Sequence, residues 1–400
     1  MRVLLFTGKG GVGKTTAAAG TAALAAARGL KTLVLSTDAA HSLGDALGAG
    51  HGEVPRLGPD PVELDSSLYA QQVDPRRRFE RSWREVQDYL LDVLDTVGVD
   101  RVEAEELTVL PGAEEVLALL ELRDQVRSDR WDVVVVDCAP TAETLRLLAL
   151  PEALGWYMDR IFPTERRVVR SLRPVLGKVA GVPMPNDRVF EAVERLHGEL
   201  REVRAVLTAP ETSVRLVLTP ESVVVAEARR TYTSLSLYGY RVDAVVANRI
   251  FPTDAADAWR SGWVAAQAQQ LREVEASFSP LPIHRSPYQA QEPVGVSALT
   301  AFAEQAYGDA DPFVVPPVEE PLLVERSGDE FVLSLALPLA ERDDMELVRS
   351  GDELVVTVGS ARRVLALPSA LRRCTVAGAA LREGRLRIRF EPDPALWGSW

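Results

Sequence analysis

The sequence predicts an α/β fold in which a doubly wound, mostly parallel sheet is followed by a small all-β sandwich. Short apolar runs alternate with stretches of helical periodicity, which is the pattern of parallel strands joined by crossover helices. One of these runs, Trp131–Val136, contains four consecutive valines, as in strands that are buried on both faces. After Gly308 the helical periodicity ends and short alternating strands follow, so a second domain of a different class begins there.

The first strand is the apolar run Val3–Phe6, and an alanine-rich helix follows over Ala17–Arg28. A second buried strand covers Lys31–Thr37. Apolar spacing then predicts helices at about 75–97, 114–127, 221–237, 254–276 and 296–307, strands at 131–136, 214–219 and 242–247, and a proline-rich loop over 280–293.

Changes in composition divide the chain. A mostly helical segment at about 151–208 interrupts the α/β pattern, and we interpret it as an insertion. Four prolines over Asp309–Pro321 indicate a linker. Beyond the linker, Leu386, Ile388 and Phe390 alternate with arginines and are expected to point inward. The expected parts are therefore a first domain over 1–309, a linker over 310–321, a β-sandwich over 322–391 and a tail over 392–400.

Composition also excludes several classes of function. The net charge of −13 provides no basic surface for nucleic acid, so we expect no nucleic-acid partner. No apolar run approaches the roughly 20 residues that span a bilayer, and the apolar run at the start is too short for a signal peptide. The two cysteines, Cys138 and Cys374, are too few for a disulfide framework. We therefore expect a cytoplasmic protein.

The most informative motif is a glycine-rich loop between the first strand and the first helix. Residues Gly8–Thr16 read GKGGVGKTT and match the phosphate-binding pattern GxxxxGK[ST]. The N–H groups of such a loop converge on phosphate oxygens, Lys14 reaches the β- and γ-phosphates, and the Thr15 hydroxyl binds Mg²⁺. The residues predicted to bind nucleotide, ATP or ADP, are Gly8, Gly10, Gly11, Val12, Gly13, Lys14, Thr15 and Thr16.

The same loop carries a second lysine, Lys9. The chain has only four lysines among its 45 basic residues, and two of them lie in this loop. Lysine is a compact point charge that the planar guanidinium of arginine does not replace at such a site. We expect Lys9 to point away from its own γ-phosphate toward a facing subunit; the alternative is a solvated loop lysine.

Two aspartates follow the ends of buried strands, where doubly wound folds bind their ligands. Asp137 follows the valine run and fits the position that holds Mg²⁺ through water; the alternative is a helix N-cap or turn carboxylate. Asp38 follows the second strand and is expected to orient or deprotonate the attacking water; the alternative is again a helix N-cap. We predict Thr15 and Asp137 as metal-binding residues, and Asp38, Lys9 and Lys14 as catalytic residues.

The base is expected to lie beside Asn248, which follows a predicted strand. A side-chain amide pairs with the adenine edge, whereas guanine-specific loops read NKxD, whose Asp accepts the guanine hydrogens. Phe251 occupies that Asp position here, so ATP is favoured over GTP. The alternative for Asn248 is a turn former. Pro287 and Tyr288 are predicted to flank the base.

Together these motifs resemble the family that includes the arsenite-pump ATPases and the tail-anchored-protein targeting ATPases. The resemblance rests on Gly8–Thr16, on Thr37–Leu43, which is similar to the family's first switch, and on Asp137–Arg146, which is similar to its second switch. It covers about residues 1–309 and implies a P-loop ATPase with a deviant Walker A motif. It also implies a homodimer that closes on ATP, opens after hydrolysis, and places Lys9 on the partner's phosphates.

The second domain has a resemblance of its own. Residues 322–391 look like an α-crystallin, small-heat-shock-like domain, which bacterial and plastid members of this branch carry. In the targeting members, helical insertions form a hydrophobic groove for the transmembrane helix of a client. The resemblance therefore implies three partners: a second copy of the chain, a hydrophobic polypeptide or membrane-protein client, and a membrane receptor.

The chain departs from the family in residues that would couple the switches to a target. The zinc-binding CxxC of the targeting ATPases and the arsenite-binding cysteines of the pump subunit are absent. Ala142 and Glu143 stand where the second switch usually has Gly-His, and Ala39 stands where the first has Pro. Arg167–Val182 has apolar residues at helical spacing among basic ones, which suits a hydrophobic client, contact with a membrane or packing on neighbouring helices.

From these observations we expect a homodimeric Mg-ATP hydrolase that couples its opening and closing to the binding of a hydrophobic polypeptide client. Two alternatives stay open. One is the ATP-hydrolysing subunit of an arsenite or anion efflux pump. The other is a nucleotide-switched binding module with little turnover.

Overall fold

The structure is a computed structural model, and it describes residues 1–38, 42–50, 55–73, 91, 113–138, 187–254, 257–317 and 320–396. Several expectations fall outside these residues: the helix at 75–97 except residue 91, most of the insertion at 151–208, the segment 167–182, and the second switch beyond Cys138. Within the described residues, no helix is both long enough and apolar enough to cross a membrane.

The first domain is built on an eight-stranded sheet in the order β3-β4-β2-β5-β1-β6-β7-β8. All neighbouring strands are parallel except the edge pair β3 and β4. This confirms the doubly wound, mostly parallel sheet. The strands are β1 (Arg2–Thr7), β2 (Thr32–Ser36), β3 (Val62–Asp65), β4 (Leu68–Gln72), β5 (Val133–Asp137), β6 (Thr212–Leu218), β7 (Val242–Ile250) and β8 (Ile283–Pro287).

Helices cover the sheet between these strands. They are α1 (Lys14–Ala27), α2 (Ser42–Leu47), α3 (Ala113–Arg127), α4 (Asp187–Thr208), α5 (Ser222–Leu237), α6 (Ala258–Phe278) and α7 (Val296–Tyr307). Helix α4 packs against α3 and β6, and its Leu200, Val203 and Leu207 are buried in the main core. The end of the segment interpreted as an insertion is thus part of the layer that covers the sheet.

Three strands differ from the sequence-based expectation. Strands β3 and β4 were not predicted. Strand β3 has only four residues and lies at the edge with alternating exposure, and β4 ends in Gln71 and Gln72, which are buried although glutamine is polar. Strand β8 lies inside the expected proline-rich loop and pairs with β7. Prolines are tolerated there because β8 is the last strand of the sheet in the described part of the chain, where no further strand pairs with its outer side.

Helix α1 lies close to α7 because its inner face is almost all alanine and glycine. Ala18, Ala19 and Ala22 are fully buried. A Cβ atom at Gly20 would lie 2.9 Å from the backbone oxygen of Leu299 and 3.1 Å from Phe302 Cδ1. The close approach places the first turn of α1, and with it the glycine-rich loop, in a fixed position against the sheet.

The second domain is a sandwich of two antiparallel sheets, in the orders β14-β15-β10-β9 and β11-β12-β13. Leu386, Ile388 and Phe390 are fully buried, as their alternation predicted. The strands are β9 (Leu322–Ser327), β10 (Glu330–Ala336), β11 (Met345–Ser350), β12 (Glu353–Val358), β13 (Ala361–Ala366), β14 (Cys374–Arg382) and β15 (Arg385–Pro392), with a short helix α8 (Ser369–Arg372) before β14.

The sandwich docks on the C-terminal end of helix α5. The Thr233 hydroxyl donates to the Pro338 carbonyl at 2.6 Å, and Arg363 Nη1 donates to the Leu237 carbonyl at 2.6 Å. Leu237 is buried in the core of the sandwich rather than in the core of the first domain. The two domains therefore share a buried contact at this helix end.

Replacing Gly20 with Ala should lower the melting temperature, because the new methyl group would collide with the Leu299 carbonyl and Phe302. Gly262 of α6 is the matched control, since a Cβ there meets nothing within 4 Å. Gly262→Ala should gain about 0.5–1 kcal/mol from helix propensity alone. Thermal unfolding of both variants tests this, and equal stabilisation by the two substitutions would contradict the close packing of α1 on α7.

Candidate active site

The glycine-rich loop lies at the carboxyl ends of the central strands, between β1 and α1. Gly11 and Gly13 have φ angles of +80° and +93°, which side chains other than glycine rarely adopt. A Cβ at Gly8 would collide with the backbone oxygen of Val217, and one at Gly13 would collide with Asn248 Nδ2. The loop is therefore pressed against β6 and β7, and only glycine fits at these two contacts.

Lys14 and Thr15 begin helix α1 and point toward the strand ends. Lys14 is buried to 7% exposure, and its Nζ donates to the Lys9 carbonyl at 3.2 Å, on the inner side of the loop. Thr15 Oγ1 donates to Asp137 Oδ2 at 2.8 Å and lies 3.2 Å from Ser42 Oγ. The structure thus brings together Lys14, Thr15 and Asp137, which are the residues that the sequence predicted to act on phosphates and metal.

The pair of Thr15 and Asp137 fits a divalent cation. Asp137 is completely buried, and its Oδ1 atom has no hydrogen-bond partner among the described residues. A hydroxyl and a carboxylate at one strand end are the protein ligands that Mg²⁺ takes when phosphates and water complete its shell. No cluster of three or more His, Cys, Asp or Glu side chains that could hold a metal is found in the described part of the chain.

Asp38 lies beside Asp137 at the end of the neighbouring strand. Ser36 pairs with Asp137 in the register of β2 and β5, so the two carboxylates follow adjacent strand ends. The Asp38 N–H donates to Ser36 Oγ at 3.2 Å, and Gln72 Nε2 donates to the Asp38 carbonyl at 2.9 Å. The backbone of Asp38 is therefore held from β2 and β4, while Ala39–His41 lie outside the described residues.

Asn248 braces the loop in this structure. Its Nδ2 donates to the Val12 carbonyl at 2.9 Å, and its Oδ1 accepts the N–H of Arg249 at 2.9 Å. The second bond is the local contact of a turn former, the alternative role for this residue. Recognition of adenine by Asn248 stays a prediction.

Pro287 and Tyr288 lie next to the strand end that carries Asn248. The Tyr288 N–H donates to the Ile250 carbonyl at 2.8 Å, and Pro287 pairs with Ile250 in the sheet. Tyr288 is 51% exposed and stacks on Phe251, with ring centroids 5.3 Å apart and planes 5° apart. A partly exposed aromatic pair therefore lies at the strand end that carries Asn248, where the sequence predicted the base to bind.

Lys9 projects from the loop toward helix α5. Its Nζ lies 3.7 Å from Glu227 Oε2, and the two side chains are 39% and 30% exposed. Sequence reasoning missed Glu227, as well as Ser42 beside Thr15 and Arg249, whose Nη1 donates to the Gly11 carbonyl at 2.8 Å. Ser42 lies within the first-switch motif Thr37–Leu43, which could have pointed to it, and Arg249 directly follows Asn248. Glu227 belongs to no local motif that would have pointed to the loop.

Comparison with known proteins agrees with this geometry. Residues 1–308 match the family model described as "Anion-transporting ATPase". The chain belongs to that family. A second model, described as an HSP20-like domain found in ArsA, matches residues 328–390. The expected resemblance is confirmed for both parts of the chain, and the protein is an ATPase.

Three relatives align along almost the whole chain. A protein of Prosthecochloris vibrioformis named "Putative arsenical pump-driving ATPase" is 37% identical over 395 residues, which cover 98% of this chain and 96% of the relative. One of Aquifex aeolicus, named "Putative arsenical pump-driving ATPase 1", is 34% identical over 377 residues, which cover 93% and 95%. An uncharacterized protein of Streptomyces coelicolor is 42% identical over 401 residues, which cover 99% of each.

Burial raises the pKa of Asp137 from 3.8 to about 6, while the Thr15 hydrogen bond and the charge of Lys14 act in the opposite direction. Because the folded-state value is the higher one, the stability of the protein without nucleotide should fall as the pH rises through the window from about 4 to about 6. Asp137→Asn removes the buried charge. Near about pH 7.5 the free energy of unfolding of the variant should exceed that of the wild type by up to about 3 kcal/mol, so the variant should unfold at a higher temperature.

Thermal melts across this pH window measure the difference. The gap between variant and wild type should narrow as the pH is lowered, because the wild-type carboxyl then becomes neutral as well. ATP hydrolysis by the same variant serves as the control and should be lost. A wild type that is as stable as the variant at neutral pH would refute the desolvation of Asp137.

Proposed function

We propose that this ATPase works as a homodimeric Mg-ATP hydrolase that couples nucleotide-driven opening and closing to the binding of a hydrophobic polypeptide client in the cytoplasm. The observation that carries the coupling is the position of helix α5. Its Glu227 contacts Lys9 of the phosphate loop, while Thr233 and Leu237 contact the sandwich. A helix is stiff over this length, so a shift at one contact is transmitted to the other.

The residues at the strand ends divide the work of phosphoryl transfer. Lys14 binds the β- and γ-phosphates of ATP, and Thr15 and Asp137 hold Mg²⁺, which neutralises charge on the phosphate oxygens when bound. Asp38 orients the attacking water and accepts its proton. Asn248, Pro287 and Tyr288 receive the adenine base. The location of Asp38 next to Asp137 and the close contact of Lys14 with the loop support these roles.

Lys9 acts on the nucleotide of the second copy. Within its own chain it rests against Glu227 at 3.7 Å in a partly exposed pair. Such pairs contribute about 0–1 kcal/mol, so the phosphates of a facing subunit readily replace Glu227 as its partner. The family resemblance and the presence of this lysine in a chain with only four lysines support the proposal.

The second candidate function is the ATP-hydrolysing subunit of an arsenite or anion efflux pump. The names of the relatives favour it. The cysteines argue against metalloid binding, because thiolates are the soft ligands that arsenite would need. Cys138 and Cys374 are both buried, one in the first domain and one in the sandwich core.

Steady-state ATP hydrolysis distinguishes the candidates. The rate is measured alone, with a solubilised transmembrane-helix peptide, and with arsenite, with Lys14→Ala as the inactive control. A change with peptide but not with arsenite is expected; the reverse result would favour the pump. A rate that responds to neither peptide nor arsenite, with turnover intact, would reject coupling to this kind of client. Hydrolysis confined to a single slow turnover would favour the nucleotide-switched module.

Asp38→Asn should lower kcat at least about 10²-fold, because the amide cannot take the proton of the attacking water. ATP binding should persist, since in this mechanism Lys14 and the loop bind the phosphates and Asp38 acts on the water. Binding of a fluorescent ATP analogue and turnover are measured on the same preparation. Unchanged turnover would remove Asp38 from the reaction.

Glu227→Gln should release Lys9 and lower the ATP concentration needed for dimer formation by up to about fivefold, the equivalent of a pair worth about 1 kcal/mol. Analytical ultracentrifugation across an ATP titration measures this change. Glu273→Gln is the matched control: it breaks a similarly exposed pair with Arg229, at 2.9 Å, that does not involve the loop. Equal behaviour of the two variants would show that Glu227 does not restrain Lys9.

A further inference from the structure

Arg249 has an unusual backbone conformation for its side chain. Its φ angle is +56°, in the left-handed region that glycine and asparagine adopt far more readily than arginine. It directly follows Asn248 in the last part of β7, at the edge of the sheet where the loop lies. A residue in such a conformation persists only where its surroundings hold it, and these positions cluster at functional sites.

Gln267 of helix α6 holds this conformation. Its Nε2 donates to the Arg249 carbonyl at 3.0 Å, and its Oε1 accepts the Phe251 N–H at 2.8 Å. Gln267 is only 5% exposed, although most of the surrounding helix is exposed. The Arg249 N–H donates to Asn248 Oδ1, so both the N–H and the carbonyl of Arg249 are hydrogen-bonded.

The two side chains at this strand end hold consecutive carbonyls of the phosphate loop. Arg249 Nη1 donates to the Gly11 carbonyl at 2.8 Å, and Asn248 Nδ2 donates to the Val12 carbonyl at 2.9 Å. In a trans peptide the C=O and the following N–H point in opposite directions. Holding the carbonyl of Gly11 toward β7 therefore turns the N–H of Val12 away from β7.

We propose that Arg249 is a positioning residue for ATP hydrolysis: held by Gln267, it orients the Gly11–Val12 peptide so that the Val12 N–H is available to a nucleotide phosphate. The role acts through the loop backbone and needs no contact of the guanidinium with the phosphates. It rests on the proposed binding of nucleotide in this loop.

The test compares the affinity for ADP, the KM for ATP and the melting temperature of Arg249→Gly with those of the wild type. Glycine removes the guanidinium and tolerates the positive φ, so backbone strain does not confuse the result. The dissociation constant for ADP and the KM should rise about tenfold, as expected for one lost aligned hydrogen bond, with kcat changed less and the melting temperature maintained. Arg272→Ala, an exposed arginine of α6, is the control and should leave all three unchanged.

Two further variants and a salt titration separate positioning of the loop from direct binding of phosphate by the guanidinium. Gln267→Leu should weaken ADP binding in the same direction, and the double variant should be little weaker than Arg249→Gly alone, because both changes break one chain of contacts. Arg249→Lys should restore part of the affinity, since an ammonium also donates to a carbonyl. The ratio of ADP affinities of Arg249→Gly and wild type should stay constant between about 50 and about 300 mM salt.

A ratio that collapses at high salt would overturn the proposal in favour of direct contact between the guanidinium and the phosphates. A fall in melting temperature with unchanged KM would overturn it in favour of a purely structural role. If the wild type itself binds no ADP, the proposed nucleotide site fails instead, and the two failures are thereby distinguished.

Discussion

The convergence of parallel strand ends at one edge of the sheet is the constraint on which the rest of this structure depends. Strands β5, β1, β6 and β7 are neighbours in space, so their carboxyl ends meet around one loop. Thr15 binds Asp137 on the β5 side, and Val12 binds Asn248 on the β7 side. The loop has little regular structure of its own. These two contacts, the bond from Arg249 to the Gly11 carbonyl and the close approach to Val217 of β6 hold it in place.

A buried ionic cluster joins the neighbouring strands β1, β6 and β7 and stabilises their order in the sheet. Arg2 Nη2 lies 2.6 Å from Asp243 Oδ2, and Arg215 bonds the same carboxylate and the Tyr307 hydroxyl. Removing one member of such a cluster is costly, because it leaves a buried charge without its partner. Asp137, at the carboxyl end of β5, is different, because among the described residues its Oδ1 atom has no hydrogen-bond partner. A buried oxygen without a partner is unfavourable for folding and suits a site that binds a cation.

Helix α5 links the glycine-rich loop to the second domain. Ten residues separate Glu227 from Leu237, which corresponds to about 15 Å along a helix. One end of this span faces the loop lysine, and the other is buried in the sandwich. The sandwich is therefore packed onto a helix that also contacts the glycine-rich loop, in addition to being joined to the first domain by the linker.

The sequence by itself determined the local features, because each is encoded in contiguous residues. The glycine-rich loop, the valine strand, the helix Val296–Tyr307 and the inward side chains of β15 could all be predicted from short patterns. Only the tertiary structure decided which side chains support the loop. Arg249 and Gly11 are 238 residues apart, and Glu227 reaches Lys9 from another helix. Such contacts arise from the strand order and the packing of the helices, which leave no periodic signal along the chain.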